Sequence, residues 1–178
     1  IRPYPTKYIS AWKMKDGKQG TIRPIRPEDE RLIVKFHHGL SERSVYLRYF
    51  SPLKLQQRVA HSRLARICFN DYDREIALVA EYKAADGQSE VIGVARLSKL
   101  RSNNAGEFAV LVTDQWHHKG LGTELTQRLI QIAKHEKLDR LVAYTLRENR
   151  EMQQMCKKLG FQVHTPVGES ECTIEMNL

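Results

Sequence analysis

The chain has 178 residues, of which 29 are basic and 21 acidic, and its formal charge is +8 at neutral pH. This length suits one domain with a real hydrophobic core and excludes two complete enzymatic domains. No apolar run approaches the roughly 20 residues that span a bilayer, and the first residues lack the apolar stretch of a secretory signal, so we expect no membrane partner. The three cysteines are far apart and odd in number, which argues against a disulfide framework and predicts a cytoplasmic protein.

The beginning of the chain differs in character from the rest. Residues 1–20 are rich in prolines and turn-forming residues, which predicts a linker from an upstream domain that ends in a hairpin-like turn. The domain itself is predicted to occupy residues 21–178. A short strand at its start leads into the helical part of the chain.

Helices dominate the first third of the domain. Pro27 and the acidic residues behind it suit the first turn of a helix that runs to about His38. Ser41 predicts the N-cap of a second short helix toward Phe50, and apolar residues at helical spacing predict helix over residues 55–68.

The periodicity changes after this helical part. Short segments rich in Val, Ile, Leu and Ala, separated by turn-forming residues, predict an antiparallel meander of three strands over residues 75–83, 90–100 and 106–113. Residues 120–137 repeat apolar side chains every three or four positions, as in an amphipathic helix that lies on a sheet.

The last part of the chain alternates between strand and helix. A strand over residues 140–146, a helix over residues 149–159 and two further strands over residues 161–164 and 172–177 are predicted. The whole order predicts an α+β fold with a mixed, mostly antiparallel sheet of six or seven strands flanked by helices.

The loop between the strand at residues 108–112 and the following helix has the character of a phosphate-binding site. Gly120 and Gly122 let the backbone approach a ligand, and the free N–H groups of a helix's first turn attract an anion. Lys119 adds a positive charge. A Gly-x-Gly turn by itself is equally compatible with a purely structural turn.

A second segment, Asn149 to Phe161, opens a helix that ends in Leu-Gly-Phe. Together the two segments resemble the GNAT acetyltransferase superfamily, whose members share a Gln/Arg-x-x-Gly-x-Gly/Ala pyrophosphate loop and an Asn-led helix. The resemblance covers nearly the whole chain. Within this superfamily, the sequence most resembles bacterial protein lysine acetyltransferases whose GNAT domain is fused to an ADP-forming acyl-CoA synthetase-like module. The residues that carry this narrower resemblance are Pro3-Tyr4-Pro5, Ile22 to Asp29, Leu40-Ser41, Arg48-Tyr49-Phe50, Asp71-Tyr72 and Gly106 to Val112.

The resemblance implies an acetyl-CoA site between the strand that ends at Val112 and the next strand, with the backbones of Val110 and Val112 bonded to the pantetheine arm. The implied contact residues are Val110, Leu111, Val112, His117, His118, Lys119, Gly120, Leu121, Gly122, Thr123, Asn149 and Cys156. His117 stands where the family has Gln or Arg. Cys156 stands where many members have a tyrosine that protonates the leaving thiolate, so water, Cys156 or no group at all is expected to fill that role.

Attack on a thioester needs a neutral amine, whereas a lysine side chain has an ordinary pKa of about 10.4 and is protonated at neutral pH. The resemblance implies that Glu107 takes up this proton through a water. An exposed strand carboxylate without such a role is the alternative. By the same resemblance, Arg48, Tyr49, Asp71 and Tyr72 are expected to border the acceptor site.

The implied activity is acetylation of a lysine ε-amine on a target protein, with an acyl-CoA synthetase as the expected partner and a fused synthetase-like module upstream. A small-molecule amine N-acetyltransferase with an acidic acceptor pocket and a non-catalytic acetyl-CoA sensor stay open. Nucleic acid is disfavoured because the basic residues, including those around Arg58 to Arg66, are scattered. His37-His38 and His117-His118 lack completing ligands, so no metal is expected.

Overall fold

The computed structural model describes residues 2–178 and contains one eight-stranded sheet in the order β1-β2-β3-β4-β5-β6-β8-β7. All neighbouring strands are antiparallel except β5 and β6, which are parallel. The α+β fold is therefore confirmed, with one strand more than the largest number expected. The strands are β1 Ser10–Lys13, β2 Gln19–Pro24, β3 Glu75–Lys83, β4 Ser89–Lys99, β5 Ala105–Val112, β6 Arg140–Leu146, β7 Gln162–His164 and β8 Glu171–Asn177.

Helices cover both faces of this sheet. They are α1 Glu30–His38, α2 Glu42–Tyr49, α3 Leu55–Arg58, α4 His61–Cys68, α5 Leu121–His135 and α6 Arg150–Lys158. Buried side chains of α1 and α4 form one core cluster with β3 and β4, whereas those of α5 and α6 form the larger cluster on the opposite face. No helix within residues 2–178 is long and apolar enough to cross a membrane.

The additional strand comes from the leading segment. Residues 10–13 pair with β2, and Trp12 and Met14 are buried in the larger core cluster. This part of the segment predicted as a linker is thus built into the sheet. Ile1 lies outside the described residues.

The helix expected over residues 55–68 is interrupted at Val59 and Ala60, where α3 ends and α4 begins. Ala60 has an extended backbone (ψ 131°). A helix end leaves carbonyls without partners, and here the Arg63 guanidinium donates a hydrogen bond to the carbonyl of Arg58 at 2.8 Å. The interruption is therefore stabilised by a side chain of the next helix.

Close packing at Gly93 places the start of α5 beside the end of β5. Gly93 pairs with Val112 across β4 and β5. A Cβ added at Gly93 would lie 2.9 Å from Leu125 Cδ1 and 3.1 Å from Leu121 Cδ2. Because only glycine admits these leucines, the first turn of α5 lies over the last residues of β5.

Candidate active site

A cleft opens where the two parallel strands separate. β5 and β6 are paired only over residues 105–107 of β5 and 140–142 of β6. Beyond this point the strands diverge and enclose a cleft of about 310 Å³, bordered by α2 on one side and by the start of α5 and α6 on the other. A separated pair of strands leaves backbone hydrogen-bonding groups available to a ligand.

The available groups are those of Val110 and Val112. The N–H of Thr113 donates to Ile92 O on β4 at 3.0 Å, so the alternation along a strand turns the backbone groups of Val112 and Val110 away from β4 and toward the cleft. The Val112 carbonyl is already engaged by Nε2 of His117 at 2.8 Å. Both groups of Val110 and the N–H of Val112 therefore face the cleft without a strand partner.

The loop before α5 presents further donors. His118 (φ 61°) and Gly120 (φ 84°) both have left-handed backbones, and Gly120 caps α5 without a side-chain hydrogen bond. The first N–H groups of this 15-residue helix are thus left for another acceptor. Together with the helix dipole they form a site that suits the pyrophosphate of CoA.

The far wall of the cleft is the start of α6. Asn149 caps this helix, because its Oδ1 accepts a hydrogen bond from Met152 N at 3.2 Å. Asn149, Met152 and Met155 all line the cleft. Flexible methionine side chains suit a slender aliphatic ligand such as a pantetheine arm.

The structure brings most of the expected acetyl-CoA contacts into this cleft. Those that line it are Val110, Leu111, Val112, His117, His118, Gly120, Leu121, Gly122, Thr123 and Asn149. Lys119 does not line it; its ammonium lies 4.8 Å from the ring centroid of Trp116, which does. Cys156 does not line it either: its side chain is in the core, and burial raises the pKa of its thiol to about 12.

Glu107 does not itself line the cleft, but it lies in the last residue pair before β5 and β6 separate. It shares a sheet face with Ala109, about 7 Å further along the strand, and Ala109 lines the cleft. The carboxylate is half-buried. Arg48 of α2 is close enough for the Glu107 charge to oppose the lowering of the Arg48 pKa that burial causes.

Two of the four expected acceptor-site residues line a cavity, and two do not. Arg48 lines the cleft, and with Tyr49 it lines a second cavity beside it. Asp71 and Tyr72 line neither. Asp71 accepts a hydrogen bond from the N–H of Asp73, and the Tyr72 hydroxyl donates to Ile25 O at 2.9 Å, so both fix local structure at the start of β3.

Sequence reasoning missed Tyr144, which lines the cleft from β6 and is 50% exposed. It follows Val142, the partner of Glu107, by two residues and shares its face of the sheet. Its signal in the sequence was weak, because a tyrosine within an apolar strand is also an ordinary strand residue. Ser44 and Leu47 of α2 complete the acceptor side of the cleft and carried no sequence signal.

Metal chemistry has no visible site in the part of the chain that the structure describes. No group of three or more His, Cys, Asp or Glu side chains within residues 2–178 has a suitable arrangement. His37 is buried, and burial together with the charges of Arg63 and Arg58 lowers its pKa to about 3.

Comparison with known proteins agrees with this geometry. A family model described as "Acetyltransferase (GNAT) domain" matches residues 20–162. An acetyltransferase of Pseudomonas aeruginosa is 28% identical over 146 residues, which cover 82% of this chain and 76% of that protein.

Solved structures show the same fold. The GNAT domain of S. lividans PAT has a TM-score of 0.86 at 22% identity and matches 99% of this chain and 100% of that domain. The PaiA N-acetyltransferase of Thermoplasma acidophilum, solved in complex with coenzyme A, has a TM-score of 0.69 at 19% identity and matches 88% of this chain and 98% of that chain.

Proposed function

This chain belongs to the GNAT acetyltransferase domain family, and we propose that its acceptor is the ε-amine of a lysine side chain in a protein. The family and its relatives make it an acetyl-CoA-dependent N-acetyltransferase. Acetyl-CoA, when bound, supplies the thioester carbonyl that the amine attacks.

The observation that carries the proposal is the position of Glu107 beside the gap between β5 and β6. The backbone groups of Val110 and the first turn of α5 line the cleft that opens beyond this point, so the donor groups follow directly after the carboxylate along β5. A carboxylate where the strands begin to separate is suited to accept, through one water, the proton that an attacking ammonium must lose.

Tyr144 is the proposed partner of Glu107 in proton transfer. Tyr144 is half-exposed and lines the cleft from the opposite strand, whereas Cys156 is buried in the core. A hydroxyl there can donate a proton to the leaving sulfur, as general acid catalysis requires. Tyr144→Phe is expected to lower kcat while the Kd for CoA is unchanged.

The identity of the protein acceptor is proposed from the resemblance of the sequence to lysine acetyltransferases. An acyl-CoA synthetase is the proposed target, and a synthetase-like module is proposed upstream of the leading segment. The cytoplasm is the proposed compartment. Support comes from Pro3 to Pro5 and from Ile22 to Asp29, the residues that carry the narrower resemblance.

The test is thiol release from acetyl-CoA with an acyl-CoA synthetase as acceptor, measured for the wild type and for Glu107→Gln. We expect the variant to lose about 100-fold or more in kcat while a calorimetric titration of acetyl-CoA gives an unchanged Kd. Glu169→Gln, an exposed change in the turn before β8, is the control and should behave as wild type.

The outcomes separate the competing functions. Unchanged turnover in Glu107→Gln would remove Glu107 as the base. Release with simple amines but not with any protein would favour a small-molecule acetyltransferase. Tight binding of acetyl-CoA without release to any amine would identify a non-catalytic sensor.

One observation favours a small-molecule acceptor as the second candidate. The cavity that adjoins the cleft has a volume of about 380 Å³, enough for a small ligand. This cavity is basic, because four arginines and one glutamate line it, whereas a simple cationic amine is expected to need an acidic pocket.

A further inference from the structure

The cavity beside the cleft lies between the sheet and helices α1, α2 and α4. Its apolar wall is formed by side chains such as Ile33, Phe36 and Leu111. Its polar groups are mostly cationic and come from elements that are distant in sequence: Arg48 on α2, Arg63 and Arg66 on α4, and Arg96 on β4.

The protein itself neutralises this positive charge only in part, through Glu107 near Arg48 and Glu75 near Arg96. Arg63 donates to the carbonyl of Arg58 and to the hydroxyl of Tyr49, both uncharged acceptors. Arg96 donates to Ile67 O at 2.7 Å and lies 3.4 Å from Glu75, the one carboxylate among the lining residues.

Burial, and to a smaller extent mutual repulsion, disfavours the charged forms of these arginines. Burial lowers the pKa of Arg48, and the charge of Arg63 lowers it further, whereas Tyr49 and Glu107 oppose the shift. Burial also lowers the pKa of Arg96, and Arg48 lowers it further, whereas Glu75 opposes the shift. Guanidinium groups stay charged at neutral pH, so folding holds several like charges together at a cost that a bound anion would offset.

The cavity is continuous with the catalytic cleft. Arg48, Ala109 and Leu111 line both. Ala109 is separated from Glu107 by one residue on the same face of β5, about 7 Å along the strand. An acceptor whose anionic group lies at the arginines can therefore extend its amine along β5 toward Glu107, which itself lines neither cavity.

We propose that the arginine cavity binds an oxyanion of the acceptor, so that the amine acetylated here belongs to a molecule that also carries a carboxylate or a phosphate. Arginine suits this role because its planar guanidinium recognises both groups through paired hydrogen bonds. The inference rests on the proposed acetyl transfer and specifies its acceptor. The oxyanion comes either from a small amine or from a residue beside a target lysine.

Kinetics with matched acceptors test the proposal and distinguish the two sources. The pairs are β-alanine against propylamine, O-phosphoethanolamine against ethanolamine, and a blocked peptide Gly-Lys-Asp-Gly against Gly-Lys-Asn-Gly. In at least one pair we expect kcat/KM to be about tenfold or more higher for the oxyanion-bearing acceptor, the effect of a charge-assisted hydrogen bond. A ratio near one in every pair overturns the proposal, although transfer itself would still stand.

Two variants assign the preference to the cavity. Arg48→Gln removes a guanidinium that stacks on Tyr49, and Arg66→Gln removes an exposed one that lines only the arginine cavity. Both should reduce the ratio toward one through the KM of the acceptor, whereas Arg101→Gln in the exposed β4–β5 turn should keep it. A preference unchanged in both variants overturns the proposal.

A binding measurement covers the case in which no tested amine is acetylated, which would instead count against the proposed function. Inorganic phosphate is titrated calorimetrically into protein saturated with CoA, so that the loop before α5 is already occupied. Binding by the wild type and by Arg101→Gln that is lost in Arg66→Gln supports the cavity as an oxyanion site. No binding to the wild type overturns it.

Discussion

Replacing Gly120 with alanine tests whether the loop before α5 binds pyrophosphate through its backbone. Gly120 has φ 84°, and a Cβ in this region costs about 1–2 kcal/mol. The strain distorts the loop toward negative φ, so that the N–H groups of Leu121 and Gly122 no longer converge on one anion. Loss of one charge-assisted hydrogen bond, about 1.5–3 kcal/mol, raises the Kd for CoA roughly 10- to 100-fold.

The measurement is a calorimetric titration of CoA beside urea unfolding. Gly87→Ala is the matched control, because Gly87 has φ 81° in the β3–β4 turn and no heavy atom would lie within 4 Å of the added Cβ. Both variants should lose a similar amount of stability, and only Gly120→Ala should lose affinity. Equal CoA affinity in the two variants would refute backbone recognition by this loop.

Three further predictions concern the framework of the site. Asp29→Ala should lower the free energy of unfolding by about 3 kcal/mol in urea titrations, because the buried Arg23 loses its partner at 2.7 Å and keeps only Glu81 at 3.4 Å. The pKa of Asp114 is lowered, since burial, which would raise it, is outweighed by hydrogen bonds from Ser41 and Ser44. The Asp114 carboxylate should therefore stabilise the fold above about pH 4 and lose this effect at lower pH. The difference in free energy of unfolding between the wild type and Asp114→Asn should accordingly shrink between pH 6 and pH 3. His117→Ala should weaken CoA binding several-fold by freeing the carbonyl at the end of β5, and His117→Gln, which keeps a donor, should restore most of it by the same titration.

Local signals predicted most of the fold. The periodicity gave the bounds of β3 and β6 as the structure has them, and Ser41 caps α2 as expected, with its side chain accepting from Ser44 N. These features depend on residues close in sequence. β1 was not predicted as a strand, because its pairing with β2 follows from burial of Trp12 rather than from a strand-like pattern.

The site was predictable where it depends on the backbone and less so where it depends on side-chain direction. The Gly-x-Gly loop and the end of β5 line the cleft as expected from their order in the chain. Cys156 does not, although its neighbour Met155 does, because successive residues of a helix point about 100° apart. The arginine cavity could not be predicted, since it is assembled from residues as distant as Arg48 and Arg96.

The basic excess of the chain gains a specific meaning from this assembly. A composition of +8 predicts a solvated surface in the first instance, yet Arg48, Arg63 and Arg96 surround a cavity on the acceptor side of the cleft. Positive charges there lower the pKa of an approaching ammonium, so they make its proton easier to transfer to Glu107. They would also repel that ammonium unless the same acceptor brought an anion. An oxyanion on the acceptor removes the repulsion by pairing with part of the arginine charge, and the arginines left unpaired still favour the neutral, reactive form of the amine.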